Sequence, residues 1–356
     1  MLINIQFLRF AAAMLVVLYH TSSHVRSTGV DQGWFFAVSE ATGFAGVDIF
    51  FVISGFIMAY TTGDDTGMGS GWNFFRRRCA RIYSGYWPFF LLALVLYSIT
   101  DPSLVEKSSL LRSAILWPAN HLLIAVSWTL IFEMFFYALF TLLIIFFWQW
   151  RVRILWLLFL FVLGWVIYAQ FFRHAYDPGQ LEYISLAEYY TLSPYLLEFL
   201  GGALLAARVP FGRLRAPGGL LLLGSALFLL AGWINNHYFG GTIEQGYTVF
   251  YRVILFGLPA FMIISGMVGL ERAGTKFPVK FSLLAGGASY AIYLCHTLLL
   301  RGTQFLGLNE YASQLDAWQV QWIFLVYSGL MLGYGILHFR LIEQPMHRGF
   351  KKALRV

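Results

Sequence analysis

Charge is what this sequence most conspicuously lacks. Lys, Arg, Asp and Glu make up 12% of its 356 residues, about half of the roughly 25% usual in soluble chains. The stretches Ile154 to Phe172 and Leu220 to Trp233 contain no charged residue at all. In water they would expose a continuous apolar surface. In lipid they are satisfied as helices, whose backbone groups bond internally. Cysteine is scarce too: Cys79 and Cys295 are read toward opposite membrane faces, which argues against a disulfide, and neither sits in a redox or zinc spacing. The apolar stretch from Ile5 has no basic segment before it and contains Arg9 and His20, so it is read as a retained first helix rather than a cleavable signal. What abounds is aromatic side chains, at 19%, which excludes disorder. Segments of about 20 residues without period-two alternation argue against an outer-membrane barrel.

The fold class expected is therefore an all-α integral membrane protein of about ten transmembrane helices. The spans are placed near 5–23, 44–62, 82–99, 128–147, 154–172, 189–207, 218–234, 248–269, 281–300 and 320–341. The segment 113–127, with Pro118, is read as a re-entrant or interfacial piece. With the N-terminus inside, 16 Lys and Arg fall in inner segments and five (Arg26, Lys107, Arg112, Arg173 and Arg301) in outer ones. That asymmetry predicts both termini cytoplasmic. The net charge of +7 is read as this topology signal and as anionic-lipid contact, not as a nucleic-acid footprint. Loops are short, so residues 1–356 are expected to form a single transmembrane domain without a separate soluble one. The pairs Gly201–Gly202, Gly218–Gly219, Gly240–Gly241 and Gly286–Gly287 are expected at close helix contacts or helix ends.

An ionisable side chain inside a span costs from about 2.5 kcal/mol upward, so each one is a candidate functional residue. Arg9 and His20 share the first span. Eleven residues apart, they point to one face about 16 Å apart along the axis. His20, Asp48, Glu133 and His296 fall at similar depth toward the outside. On depth they would share one polar pocket, in which a carboxylate such as Glu133 fixes an imidazole as general base. Arg252 is expected to reach the outer surface. On the inner side, Arg76, Arg77, Arg78 and Arg81 precede an aromatic-rich span. Four guanidinium groups exceed what anchoring needs and suit phosphate. The Gly-rich GMGSGW at 67–72 has no preceding strand and no Walker lysine. His20 and His24, at i and i+4, lack the rest of a zinc motif, so no metal is expected.

Taken in order, six strings resemble the acyltransferase-3 family of integral membrane acyltransferases. They are Arg9-x10-His20, GVDIFFVISGF at 46–56, FFRRRCARIYSGYW, SWTLIFEMFFY with Thr129 in a serine's place, SYAIYLCH, and IEQPMHR near the C-terminus. The resemblance spans almost the whole chain and is closest to compact exopolysaccharide- or O-antigen-modifying O-acetyltransferases, without the extra C-terminal hydrolase-like domain. It implies a bacterial inner-membrane enzyme that takes an acyl group, usually acetyl, from cytoplasmic acetyl-CoA. The acceptor it implies is a hydroxyl of a cell-surface or exported glycan. It makes His20 essential and carries the first-helix arginine over to Arg9; the reading of depth and chemistry adds His20's role as general base and places Glu133 with both as a catalytic candidate. The resemblance also implies that Arg9, Arg76, Arg77, Arg78 and Arg81 contact the CoA phosphates. Asp48, His296, Trp128 and Tyr137 are the candidate acceptor-pocket residues. Ser54 and Cys295 are conceivable nucleophiles, but neither lies in an activating motif, which favours direct transfer. The alternative function for the same ionisable set is a proton-coupled transporter or flippase of a lipid-linked sugar, although neither internal repeats nor matched broken helices are evident.

Overall fold

Apolar runs that cannot borrow hydrogen bonds from water close them within the segment, and no strand occurs among the described residues of this chain. The computed structural model describes residues 2–31, 33–62, 66–175, 184–208, 211, 214–241 and 249–354. Its helices are α1 (Ile3–Ser27), α2 (Gly33–Thr42), α3 (Gly46–Thr61), α4 (Met68–Thr100), α5 (Pro102–Lys107) and α6 (Leu110–Ala114). There follow α7 (Trp128–Leu142), α8 (Arg151–Phe171), α9 (Leu186–Thr191), α10 (Tyr195–Arg208), α11 (Pro217–Tyr238) and α12 (Val249–Arg252). The last are α13 (Leu258–Arg272), α14 (Val279–Phe305), α15 (Leu308–Ala312), α16 (Ala317–His338) and α17 (Gln344–Leu354).

Eight helical stretches are long and apolar enough to cross a membrane, and the protein is an all-α integral membrane protein. One stretch, Ala125–Phe171, contains two of the sequence-predicted spans, joined through π-helical Leu143–Phe147 and 3-10 Trp148–Trp150. Over the predicted span 189–207 lies α10, whose 14 residues fall short of the ~20 that a full crossing takes. Two of the topology cations, Arg213 and Arg355, lie outside the described residues. A reporter fused after Val356 should read as cytoplasmic if the 16-to-five asymmetry sets orientation. A periplasmic reading would overturn that assignment.

The inner arginines were expected in a loop ending near residue 81. They lie instead on α4, which starts at Met68 and runs 33 residues, about 50 Å. That exceeds the ~30 Å hydrocarbon core, so the helix projects beyond it, and the Arg-rich stretch favours helix.

The chain forms two compact units. Unit 1 comprises Met1–Ala12, Ala45–Phe74 and Phe135–Gly286; unit 2 comprises Ala13–Phe44, Phe75–Met134 and Gly287–Val356. In unit 1, α3 and α10 meet backbone to backbone. A Cβ on Gly55 would lie 1.9 Å from the Phe199 carbonyl oxygen, and one on Gly202 2.2 Å from that of Val52. Small residues at both contacts permit this approach. Gly201 accommodates the Phe261 ring, and Gly286 faces the Gln6 backbone. Gly240 and Gly241, with φ of 58° and 75°, instead end α11, as glycine readily does. The Glu271 carboxylate accepts the Ile3 and Asn4 amides at 2.9 and 2.8 Å, satisfying otherwise unpaired donors at the start of α1.

Unit 2 explains how the non-helical segment 115–124, between α6 and the 3-10 turn Ala125–Ser127, is accommodated beside the last carbonyls of α6. Three aromatic donors on α4 take up carbonyl groups here: Tyr86 Oη bonds Ser113 O at 2.8 Å, Trp87 Nε1 bonds Ala114 O at 3.0 Å, and Tyr83 Oη bonds Ile115 O at 2.7 Å. Irregular backbone at membrane depth is tolerable only with such partners. The segment's own Leu116, Ala119, Leu123 and Ile124 are buried. At the end of the unit reached by the C-terminus of α1, Val25 packs with Phe36, Ala312, Val320 and Phe324. Arg26 pairs with Glu40 there. Past α4, Asp101 pairs with Arg301 at 2.6 Å. The Ser103 hydroxyl donating to it, with the Leu104 amide and the two nearby cations adding to the effect, holds this carboxyl below the usual carboxylate range.

Candidate active site

One helix organises the functional residues of unit 2. On α14, Gly287, Tyr290, Tyr293 and His296 follow at three-residue steps; each neighbours the next, and the series winds half a turn around the helix from Gly287 to His296. His296, fully buried, brings its Nε2 to 3.2 Å from His20 Nδ1 on α1. His20 is half-buried. Its Nδ1 also lies 3.0 Å from the Val16 carbonyl oxygen, and His296 Nδ1 contacts the carbonyl oxygen of Tyr293.

These carbonyls fix the proton positions. A carbonyl oxygen only accepts, so both Nδ1 atoms must carry hydrogen in the neutral pair. His20 Nδ1–H is then shared between Val16 O and the lone pair of His296 Nε2. The lone pair of His20 Nε2 is left for an incoming donor. His20 is thus a proton acceptor held in one tautomer by its neighbours, the arrangement a general base needs.

The partner of His20 is therefore an imidazole, where a carboxylate had been expected. Glu133 lies in the same unit, half-buried on α7, and interacts electrostatically with Tyr290. Beside it on α7, the Thr129 hydroxyl meets Tyr293 Oη at 3.1 Å, and both reach the Val126 carbonyl oxygen at 3.0 Å. Trp128 opens the same helix and packs edge-on against Phe132. Toward the start of α14, Arg81 donates to the buried Glu343 carboxylate and, at 3.4 Å, to Gly287 O. Its guanidinium stands 5.9 Å from the Tyr290 ring centre. Tyr290 Oη donates to Ile82 O at 3.2 Å. From Gly287 to His296 is nine residues, roughly 14 Å along the axis. Unit 2 thus carries a guanidinium end and an imidazole end on one spine. Arg77 is exposed on α4, with Arg76 and Arg78 half-buried.

Unit 1 holds the remaining candidates. Arg9 is half-buried on its part of α1, and Tyr137 is buried, its carbonyl accepting from Thr141 at 2.6 Å. Asp48 is fully buried and paired with Arg252, whose Nη2 and Nε lie 2.7 and 3.1 Å from Asp48 Oδ2. Arg252 is only 3% exposed, so it does not reach out to the surface. Its guanidinium lies 5.2 Å from the ring centre of Tyr195. The structure therefore brings His20 and His296 together, puts Glu133 in their unit, and engages Asp48 in a buried ion pair in the other.

Sequence reasoning passed over Glu198, buried beside Asp48 and Arg252, and Glu343. Both follow from the cost of burying charge: Glu198 stands inside a predicted span, and Glu343 inside the quoted IEQPMHR string. Cys79 and Cys295 are both free. The Cys295 thiol donates to the Ile292 and Met331 carbonyls at 3.4 and 3.8 Å, acceptors that cannot take its proton.

Residues 2–340 match the family model for this acyltransferase domain. The chain is 29% identical over 328 residues to the exopolysaccharide production protein ExoZ of Rhizobium meliloti, covering 86% of this chain and 90% of that one. It is 26% identical over 364 residues to the acyltransferase MdmB of Streptomyces mycarofaciens, covering 96% and 90%. No solved structure matches it. With the family model covering nearly the whole of this multi-helix membrane chain, the protein belongs to the acyltransferase-3 family and is a membrane acyltransferase.

Proposed function

We propose that this protein transfers an acyl group, acetyl by preference, from cytoplasmic acyl-CoA to a hydroxyl of an exported glycan in the bacterial inner membrane. The observation that carries the mechanism is the His20–His296 pair, whose carbonyl neighbours leave the His20 Nε2 lone pair as the free base. A sugar hydroxyl is a weak nucleophile at neutral pH. As its oxygen attacks the thioester carbonyl carbon, its proton passes to His20 Nε2. The C–O ester bond forms and the C–S bond breaks. The proton on His20 then leaves with the CoA thiolate. A base acting this way contributes about 10²–10⁴-fold. His296 accepts from His20 Nδ1–H throughout and supports the imidazolium that forms.

The donor is supported by the arginines of α4. Arg76, Arg77 and Arg78 have the fork geometry that phosphate accepts bidentately, and Arg81 is oriented by Glu343. The roughly 14 Å from Gly287 to His296 suits a thin pantetheine arm between a phosphate end and a thioester end. The exopolysaccharide role in the name of ExoZ supports a glycan acceptor. The buried and unactivated state of Cys295 favours direct transfer over an acyl-enzyme.

Replacing Arg77 and Arg78 by Lys keeps the charge but loses the fork. Affinity for a non-hydrolysable acyl-CoA analogue, read by calorimetry in detergent, is expected to fall about tenfold or more. Unchanged affinity would return these residues to membrane anchoring.

A further inference from the structure

Two carboxyl groups and one guanidinium are buried together in unit 1, and the proposed acyl transfer uses none of them. Asp48 on α3 and Glu198 in the first turn of α10 are both 0% exposed, and Arg252 closes α12 at 3% exposed. Arg252 gives its Nε and Nη2 to Asp48. Glu198 lies beside that pair and interacts with both members, yet neither of its oxygens meets a hydrogen-bond donor. The backbone is shaped around this carboxyl. Directly after Arg252 the chain makes a π-helical turn, Val253–Gly257, a rare distortion that collects at functional sites. It closes on Gly257, where a Cβ would fall 2.7 Å from Glu198 Oε1. The glycine leaves the room that the carboxyl fills.

Two ionised carboxylates against one guanidinium would leave a net negative charge in a site closed to water, which is far costlier than a neutral one. Among the described residues, the charged groups acting on Glu198 are Asp48 and Arg252. Tyr195 on α10 also faces it, and Tyr189 on α9 faces Arg252. Residues 176–183 and 242–248, which precede α9 and α12 in sequence, contain Asp177, Glu182 and Glu244 but no Lys, Arg or His. No compensating cation comes from them. The first turn of a helix favours a carboxylate through its free amides, and none reaches Glu198. A proton meets both needs. It balances the charge, and it turns a group that only accepts into an O–H that donates.

We propose that this triad is a proton-binding site: Glu198 holds a proton at neutral pH and donates it to an Asp48 oxygen, so that the three side chains together are neutral. Asp48 has the capacity for it, since each carboxylate oxygen carries two lone pairs and Arg252 does not occupy them all. The bound proton links the stability of unit 1 to pH. An unfolded Glu gives up its proton at about pH 4.3, whereas the folded chain keeps it. Unfolding therefore releases one proton and becomes easier as pH rises.

Infrared spectroscopy of the full-length protein in lipid nanodiscs at neutral pH tests this. The wild type is expected to show the C=O stretch of a protonated carboxyl, shifted in deuterated water, and Glu198→Gln to lack it. Asp48→Asn should lack it too, because Arg252 then has Glu198 as its carboxylate partner and holds it ionised. In mixed micelles, the unfolding constant of the wild type should rise with pH about tenfold per pH unit more steeply than that of Glu198→Gln. Absence of the band from the wild type would overturn the inference, by making Glu198 a carboxylate served by water. An unchanged band in Glu198→Gln, or in Asp48→Asn should the first variant not fold, would also overturn it by placing the proton elsewhere. Equal pH slopes in wild type and Glu198→Gln would do the same.

Discussion

His20→Gln is expected to reduce acyl transfer by about 10²–10⁴-fold while leaving affinity for an acyl-CoA analogue unchanged. Glutamine keeps hydrogen-bonding capacity but cannot take a proton. Of the residues proposed for the donor phosphates, Arg81 meets α14 at Gly287, roughly 14 Å along the axis from His296, so donor affinity should not follow turnover down. His296→Gln should produce a smaller loss, because it removes the acceptor that orients His20 Nδ1–H but not the base. Activity of the wild type should also fall on acidification, as protonation of the pair removes the Nε2 lone pair. Near-normal turnover in His20→Gln would move the base to His296. Joint loss of turnover, donor binding and fold would make His20 a packing residue.

The second large effect concerns stability. Arg252→Ala is expected to destabilise the protein by about 3–5 kcal/mol, because it strands a buried carboxylate without its partner. Asp48 is 0% exposed and takes three contacts from Arg252, so water cannot substitute for the lost guanidinium. Against a total stability of about 5–15 kcal/mol, the variant should be recovered in low yield with a sharply lower Tm in detergent. The double variant Asp48→Leu/Arg252→Met should regain much of that Tm, since apolar replacement of a whole buried pair is often neutral. If Arg252→Ala kept the wild-type Tm, the pair would not be a structural element of unit 1.

How much of this was legible in the sequence varies with the physics involved. Membrane helices follow from composition, because the bilayer leaves the backbone no other way to satisfy itself. Helices accordingly overlie the predicted spans, and even the irregular 113–127 segment was separable by its proline and short apolar run. Depth along a helix is also readable, since rise per residue is fixed, and depth put His20 and His296 at one level. Which ionisable residue faces which is not readable this way. Asp48 and Arg252 are 204 residues apart, and only packing of α3 against its neighbours shows that they neutralise each other. The same blindness assigned His20 a carboxylate partner where the structure supplies an imidazole. The arginines of α4 were placed in a loop because hydropathy marks where lipid ends, not where the helix does. Gly202 was flagged as a close contact, but its counterpart Gly55 emerged only from the interface itself.

Acyl transfer from a thioester to a glycan hydroxyl is measured most directly by a mass balance. Purified protein in lipid nanodiscs would be given acetyl-CoA carrying a labelled acetyl group, together with the deacetylated glycan exported by the same cells. Free CoA and alkali-labile acetyl on the glycan are expected in equal amounts, with no label remaining on the protein after quenching. Release of CoA with label covalently held by the protein, or no transfer of label to the glycan at all, would contradict direct transfer to the glycan.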